Sequence, residues 1–234
     1  MINQMASGSQ TTIQLPSSRS SIGSIVRDGL LFDPKNWTTL MTTPNINQIL
    51  ETIDRLFKTL NDRQVSYVLV CGIAMLSYIQ GRNTQDIDLI IARSNGVSIG
   101  LLISTENKDF AQASYEGVRV DLLLNQNKLF KKIQKDYSQV MQWGDHSVIT
   151  ATPEGLVILK LYALPLLYRQ REFDRAAIYE TDILQLVLNY QLKLEALLKL
   201  VKPHVIESDL EELGSIVQDI LGRLRRIERN RTSS

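Results

Sequence analysis

From Ile46 to Leu60 the apolar residues Ile46, Ile49, Leu50, Ile53, Leu56, Phe57 and Leu60 recur at intervals of three and four, one stripe of an amphipathic helix. Thr43-Pro44 before it reads as a cap with proline in the first turn, and Asn61-Asp62 as its end. The pattern then changes period. Ser66 to Cys71 is a short continuous apolar run of strand type, Gly72 turns the chain, and Ile73 to Ile79 forms a short helix before Gly81. Asp86 to Ala92 is the next strand and Phe110 to Tyr115 a weaker one. Glu116-Gly117 is a hairpin turn into a strand from Val118 to Leu124. Between them, Ser94 to Lys108 fits a strand or a helical turn equally well.

The second half is mostly helical in period. Leu129 to Tyr137 reads as a helix and Ser147 to Thr150 as a short edge strand. Thr152-Pro153-Glu154 opens a helix carrying Leu156, Leu159, Lys160 and Ala163, with a cap, a first-turn proline and an acid at the positive end of the dipole. After a polar stretch through Arg169, Arg171 and Asp174, helices are predicted over Asp182 to Asn189 and Leu192 to Val201, the latter stopped by Pro203. Ser208 and Glu211 have capping-box spacing for a final helix. Its seam of Leu210, Leu213, Val217, Ile220, Leu224 and Ile227 suits packing on the body of the protein or on a twin subunit.

Residues 1–25 are rich in Ser, Gln and Thr and too poor in periodic apolar residues to bury anything, so a disordered leader is expected there. Leu30, Leu31, Phe32 and Trp37 around Asp33-Pro34 suggest a segment that packs on the body. With 44% hydrophobic residues in 234, the chain can bury one substantial core and a smaller appended unit. No run approaches the roughly 18 apolar residues that cross a bilayer, and no secretory h-region is present, so a cytoplasmic protein without membrane contact is expected. The single cysteine, Cys71, excludes an intrachain disulfide and a cysteine-based zinc site, and its apolar neighbours make it a small buried hydrophobe. A net charge of +1 gives no global field for polyanions. A local basic end exists at Arg223, Arg225, Arg226, Arg229 and Arg231, where the cations complement a helix C-terminus or touch phosphates.

Candidate chemistry sits in Asp86-Ile87-Asp88-Leu89 and Val120-Asp121-Leu122. Alternate strand residues share a face, so Asp86 and Asp88 project together while Ile87, Leu89 and Ile91 enter the core. Two acids on one face of an apolar strand repel each other unless a partner neutralises them, and the hairpin delivers Asp121 beside them. Three carboxylates converging in that way fit a divalent cation with a preference for oxygen.

In order along the chain stand Val70-Cys71-Gly72-Ile73-Ala74, Gly81-Arg82-Asn83-Thr84, Asp86-Ile87-Asp88-Leu89, Val120-Asp121-Leu122 and Glu154-Gly155-Leu156-Val157-Ile158-Leu159-Lys160. This series resembles the DNA polymerase beta-like nucleotidyltransferase superfamily, and within it the minimal branch of abortive-infection (AbiEii-type) nucleotidyltransferase toxins and similar antitoxins. The likeness covers about residues 65–190. It implies an α/β (α+β) nucleotidyltransferase fold, a mixed sheet flanked by helices with a helical C-terminal extension. It divides the chain into the leader, a nucleotidyltransferase core at 26–165 and a helical C-terminal region at 166–234 packed on it.

The resemblance further implies transfer of a nucleoside monophosphate from a nucleoside triphosphate to a hydroxyl, with Mg2+ or Mn2+ held by Asp86, Asp88 and Asp121. Gly72 lets the following helix approach the triphosphate, Arg82 and Thr84 brace the loop or touch phosphate, and Lys160 contacts triphosphate oxygens. Asp182 matches a further family acid. The acceptor is RNA or protein, and a toxin-antitoxin role, with an antitoxin or a second copy on the terminal helix, is implied by analogy. The resemblance departs at Cys71, where relatives carry a first turn glycine. A member that keeps the fold without turnover, acting as a binding or antitoxin partner, is the competing reading. A two-metal nuclease or a glycosyltransferase lacks support from the glycine turn and the Arg-x-Thr segment.

Overall fold

The computed structural model describes residues 46–79, 87–143 and 146–232. The expected leader, the Leu30 to Trp37 segment, the Thr43-Pro44 cap and the loop carrying Gly81, Arg82, Thr84 and Asp86 lie outside the described residues. The fold is mixed α/β, with a seven-stranded sheet and helices packed on it. In chain order the elements are α1 (Ile46–Asp62), β1 (Tyr67–Val70), α2 (Cys71–Leu76), β2 (Ile87–Ile91), α3 (Arg93–Ser98), β3 (Leu102–Glu106), β4 (Phe110–Tyr115) and β5 (Val118–Leu124). They continue with α4 (Lys128–Asp136), β6 (Ser138–Trp143), β7 (His146–Ala151), α5 (Pro153–Arg169), α6 (Phe173–Tyr190), α7 (Leu194–Val201), a 3-10 turn (Lys202–His204) and α8 (Glu207–Thr232).

The strands lie in the order β3-β4-β5-β2-β1-β7-β6. β2 is parallel to β5, β1 is parallel to β7, and the remaining neighbours are antiparallel. The three central strands are buried on both faces, with Val68, Leu69, Val70, Leu89, Ile90, Ile91 and Val120 all at 0% exposure. Their continuous apolar runs follow from that burial. Glu116 and Gly117 both have positive φ, 48° and 87°, the backbone twist that a two-residue hairpin between β4 and β5 requires. The undecided segment resolves into both alternatives in turn, the short α3 and then β3.

Four expectations about local structure are corrected. Ser147 to Thr150 belongs to β7, which is interior, because β6 covers its outer side. β6 escaped notice because as an edge strand it buries only Trp143 and keeps no alternation of apolar residues. α6 starts at Phe173 instead of Asp182. Its first turns expose Phe173 and Ile178, and two of its buried side chains, Glu180 and Asp182, are acids, so the stripe does not read as apolar. Ser208 does not cap α8, which begins at Glu207 and carries Ser208 inside its first turn. Its seam, with Leu213, Val217, Ile220 and Leu224 buried, packs on α5, α6 and α7.

The fourth correction concerns the turn after β1. Cys71, not Gly72, takes the left-handed backbone, at φ 54°, and it is the first residue of α2, partly exposed instead of buried in a strand. A non-glycine residue there carries about 1–2 kcal/mol of strain. Cys71→Gly is expected to relieve it at the smaller cost of a more flexible unfolded chain. A net rise in melting temperature of about 2 °C in calorimetry is the expected outcome.

α5 is set on the sheet by its first turn. The Thr152 hydroxyl accepts from the Gly155 amide at 3.3 Å, with Pro153 in the first turn, as the pattern predicts. Gly155 lies so close to the chain before β6 that a Cβ would stand 2.8 Å from the Tyr137 carbonyl oxygen. That carbonyl is itself fixed, accepting from the Thr152 amide at 2.9 Å. Gly155→Ala is therefore expected to destabilise the fold by about 1–3 kcal/mol, read from urea denaturation midpoints.

Candidate active site

Register decides which residues meet. Asp88 of β2 is the Cα partner of Asp121 of β5 in a parallel pair, so both side chains leave the same face of the sheet. On its other side Asp88 is opposite Val70, the last residue of β1, which brings the Cys71-Gly72 turn to the same end of the sheet. Cys71, Asp88 and Asp121 line one cavity of about 500 Å³, roofed by α5 and α6. Arg119, two residues before Asp121 and on its face, donates from Nε and Nη2 to the two carboxylate oxygens of Asp121 at 3.1 and 2.7 Å. Gly72 is buried as the second residue of α2, and Val70, in the N-cap position before that helix, supplies no side-chain cap.

The two later residues singled out in the sequence meet each other. Lys160 of α5 and Asp182 of α6 form an ion pair at 2.7 Å, with the whole residues only 2% and 3% exposed. The Lys160 Nζ also lies 4.0 Å from the centre of the Tyr179 ring, a cation–π contact strengthened by the low local polarity. Tyr179 was not foreseen. Burial pushes its hydroxyl pKa well above the ordinary range, the neighbouring Cys71 and Asp88 push the same way, and Arg175 opposes them with its charge and a hydrogen bond. The phenol oxygen accepts from Arg175, because a guanidinium can only donate. The available signal is the i, i+4, i+7 spacing of Arg175, Tyr179 and Asp182, one polar stripe that a helix beginning at Asp182 does not contain.

The far end of the cavity is apolar. Phe110, Phe130 and Tyr162 meet edge to face, with centroids 5.3 and 5.7 Å apart, and Leu123 and Leu166 complete the wall.

Of the predicted site residues, Asp88, Asp121, Lys160 and Gly72 thus fall at this one end of the sheet or on the helix above it, and Asp182 is held by Lys160. Asp86, Arg82 and Thr84 lie outside the described residues. Among the described residues no three His, Cys, Asp or Glu side chains come together as a metal cluster. Two carboxylates on neighbouring strands in a polar-ended cavity are nevertheless hard oxygen donors of the kind a magnesium ion takes, and the two bonds from Arg119 leave lone pairs on Asp121.

No family model matches the sequence, and no curated protein matches it. Among solved structures the chain is similar to an antigenic nucleotidyltransferase-like protein from Paracoccidioides brasiliensis, at 16% identity over 70% of this chain and 88% of that one, with a TM-score of 0.42. It is also similar to the antibiotic-resistance factor ANT(2'')-Ia, at 13% identity over 79% of this chain and 98% of that one, with a TM-score of 0.44.

Proposed function

We propose that the protein is a metal-dependent nucleotidyltransferase that moves a nucleoside monophosphate from a nucleoside triphosphate to a hydroxyl of RNA or protein. The observation that carries this reading is the register of Asp88 with Asp121 on adjacent parallel strands, both facing a cavity at the end of the sheet where the Cys71-Gly72 turn arrives. Asp88 and Asp121, with Asp86 of the same sequence motif, are the residues that would hold magnesium or manganese. Bound there, the metal supplies a lowered pKa for the attacking hydroxyl and neutralises charge on the departing pyrophosphate.

The chain's own groups do the rest. The cavity shelters the phosphate chain from bulk water, and Gly72 admits the backbone of α2 to its neighbourhood. Lys160 and Asp182 stiffen the roof. In the overall reaction the acceptor hydroxyl forms a new bond to the α-phosphorus, the bond to the β-phosphate bridge oxygen breaks, pyrophosphate leaves, and the hydroxyl proton passes to solvent or a carboxylate. A triphosphate donor and magnesium fit a cytoplasmic place, and no helix among the described residues is long and apolar enough to cross a membrane. A role as one component of a toxin-antitoxin pair follows the family resemblance of the sequence motifs.

A second reading, a nucleotidyltransferase-fold protein without turnover that serves as a binding or antitoxin partner, is favoured by the Cys71 side chain at the turn and by the Arg119 clamp on Asp121. A thermal-shift screen of the four nucleoside triphosphates, with and without magnesium or manganese, separates the two. A metal-dependent shift followed by label transfer from the α-phosphate to RNA or protein supports the enzyme. The absence of a shift for every nucleotide supports the partner.

A further inference from the structure

The cavity wall above the two aspartates carries polar groups graded in depth along one face of α6. Asp182 is innermost and neutralised by Lys160. One turn nearer the N-terminus, Tyr179 lays its ring against the Lys160 ammonium, hydrogen-bonds Arg175 and lines the cavity together with Cys71 and Asp88. One further turn out is Arg175, whose side chain is 58% exposed and whose Nη1 donates to Glu172 at 2.9 Å. Lys160 therefore spends its charge on a buried carboxylate and an aromatic face, while the cation of this wall presented toward solvent is Arg175.

We propose that Arg175 and Tyr179 form the phosphate-holding wall of this cavity, donating to the oxygens of a metal-bound polyphosphate chain, with the Lys160–Asp182 pair fixing the Tyr179 ring from α5. The nucleoside attached to that chain rests on the nucleotidyltransferase reading; the wall itself does not. A guanidinium is planar, permanently charged and carries five donors, so its bonds to Glu172 and Tyr179 leave donors for phosphate. Tyr179 lines the same cavity as Arg175, and its phenol has an O–H to offer an acceptor oxygen placed before it. Across the cavity Asp88 and Asp121 present negative charge, which repels a bare phosphate chain and accepts one that arrives with its cation. Acids on the sheet and donors on the helix give the cavity the polarity that such a salt needs. Lys160 is then a positioning residue acting through Tyr179.

Isothermal titration of magnesium tripolyphosphate and of magnesium ATP, GTP, CTP and UTP onto the full chain tests this. Wild type is compared with Arg175→Gln, Arg175→Lys and Tyr179→Phe, each with its melting temperature. Arg175→Gln is expected to weaken tripolyphosphate binding about ten- to hundredfold, Tyr179→Phe about three- to tenfold, and Arg175→Lys to fall between wild type and Arg175→Gln, because the charge survives without the fork. If melting temperatures hold and the variants bind as tightly as wild type, the wall is wrong, and the nucleotidyltransferase reading stands as long as a triphosphate still binds through Asp88. If tripolyphosphate binds with the expected dependence and no nucleoside triphosphate does, the wall stands and the nucleotidyltransferase reading falls. Wild-type protein that binds neither overturns both.

Discussion

Asp88→Asn should leave the fold intact and remove metal-dependent nucleotide binding and transfer together. The substitution keeps the shape, exchanges one acceptor oxygen for an NH2 donor, and takes away one of two charges facing each other across the β2–β5 register. Its side chain faces the cavity, so no core contact is lost and the melting temperature without ligand should stay near that of wild type. A metal that neutralises developing charge is worth several kcal/mol in a transition state, so transfer of the α-phosphate should fall by about a thousandfold or more. Asp121→Asn should do the same to binding, with one difference. Arg119 then faces a neutral amide, and its released guanidinium should make residual nucleotide binding less dependent on magnesium. Magnesium titrations at fixed nucleotide measure both effects. Equal metal dependence in wild type and Asp88→Asn would remove the catalytic assignment.

The second large effect is on stability. Asp182→Ala is expected to cost about 3–5 kcal/mol, and Lys160→Ala a comparable amount, because each leaves its buried partner as an uncompensated charge between α5 and α6. For a chain of this size that corresponds to a drop in melting temperature of roughly 10 °C. The double substitution Lys160→Met with Asp182→Leu should recover most of the loss, since apolar groups of similar volume replace both charges. Stability and chemistry then separate in one experiment. The repacked double variant should be stable yet bind tripolyphosphate more weakly than wild type, because Tyr179 has lost the cation beneath its ring. Additive losses in the double variant, measured by denaturant titration, would mean that the two residues do not act as a pair.

How much of this was legible beforehand depended on range. The amphipathic α1, the β4–β5 hairpin and the opening of α5 were readable because each is specified by a local pattern: a stripe, two positive-φ turn residues, and a cap with a first-turn proline. The Asp88 and Asp121 motif was readable because two acids in apolar strands have few uses. β6 was not, since an edge strand with one buried residue leaves no alternation. The first turns of α6 were not, since that helix buries acids answered only by distant partners, Glu180 by a hydrogen bond from Tyr168 and the charge of Arg223, Asp182 by Lys160. Arg223, counted with the basic C-terminal end, is drawn into the fold by Glu180.

By itself the amino-acid order determined the elements with strong local period and the placing of Asp88 and Asp121 in apolar strands. The tertiary structure alone decided the register that pairs Asp88 with Asp121, that Lys160 answers Asp182, that Cys71 bears the left-handed turn, and that Arg175 and Tyr179 line one cavity with the acids. The physical reason is the distance along the chain over which each cause acts. Helical stripes, caps and hairpin turns are settled among residues a few positions apart, whereas the partner of a buried charge and the neighbour of a strand come from segments tens of residues away, selected by whichever packing leaves the fewest charges unanswered.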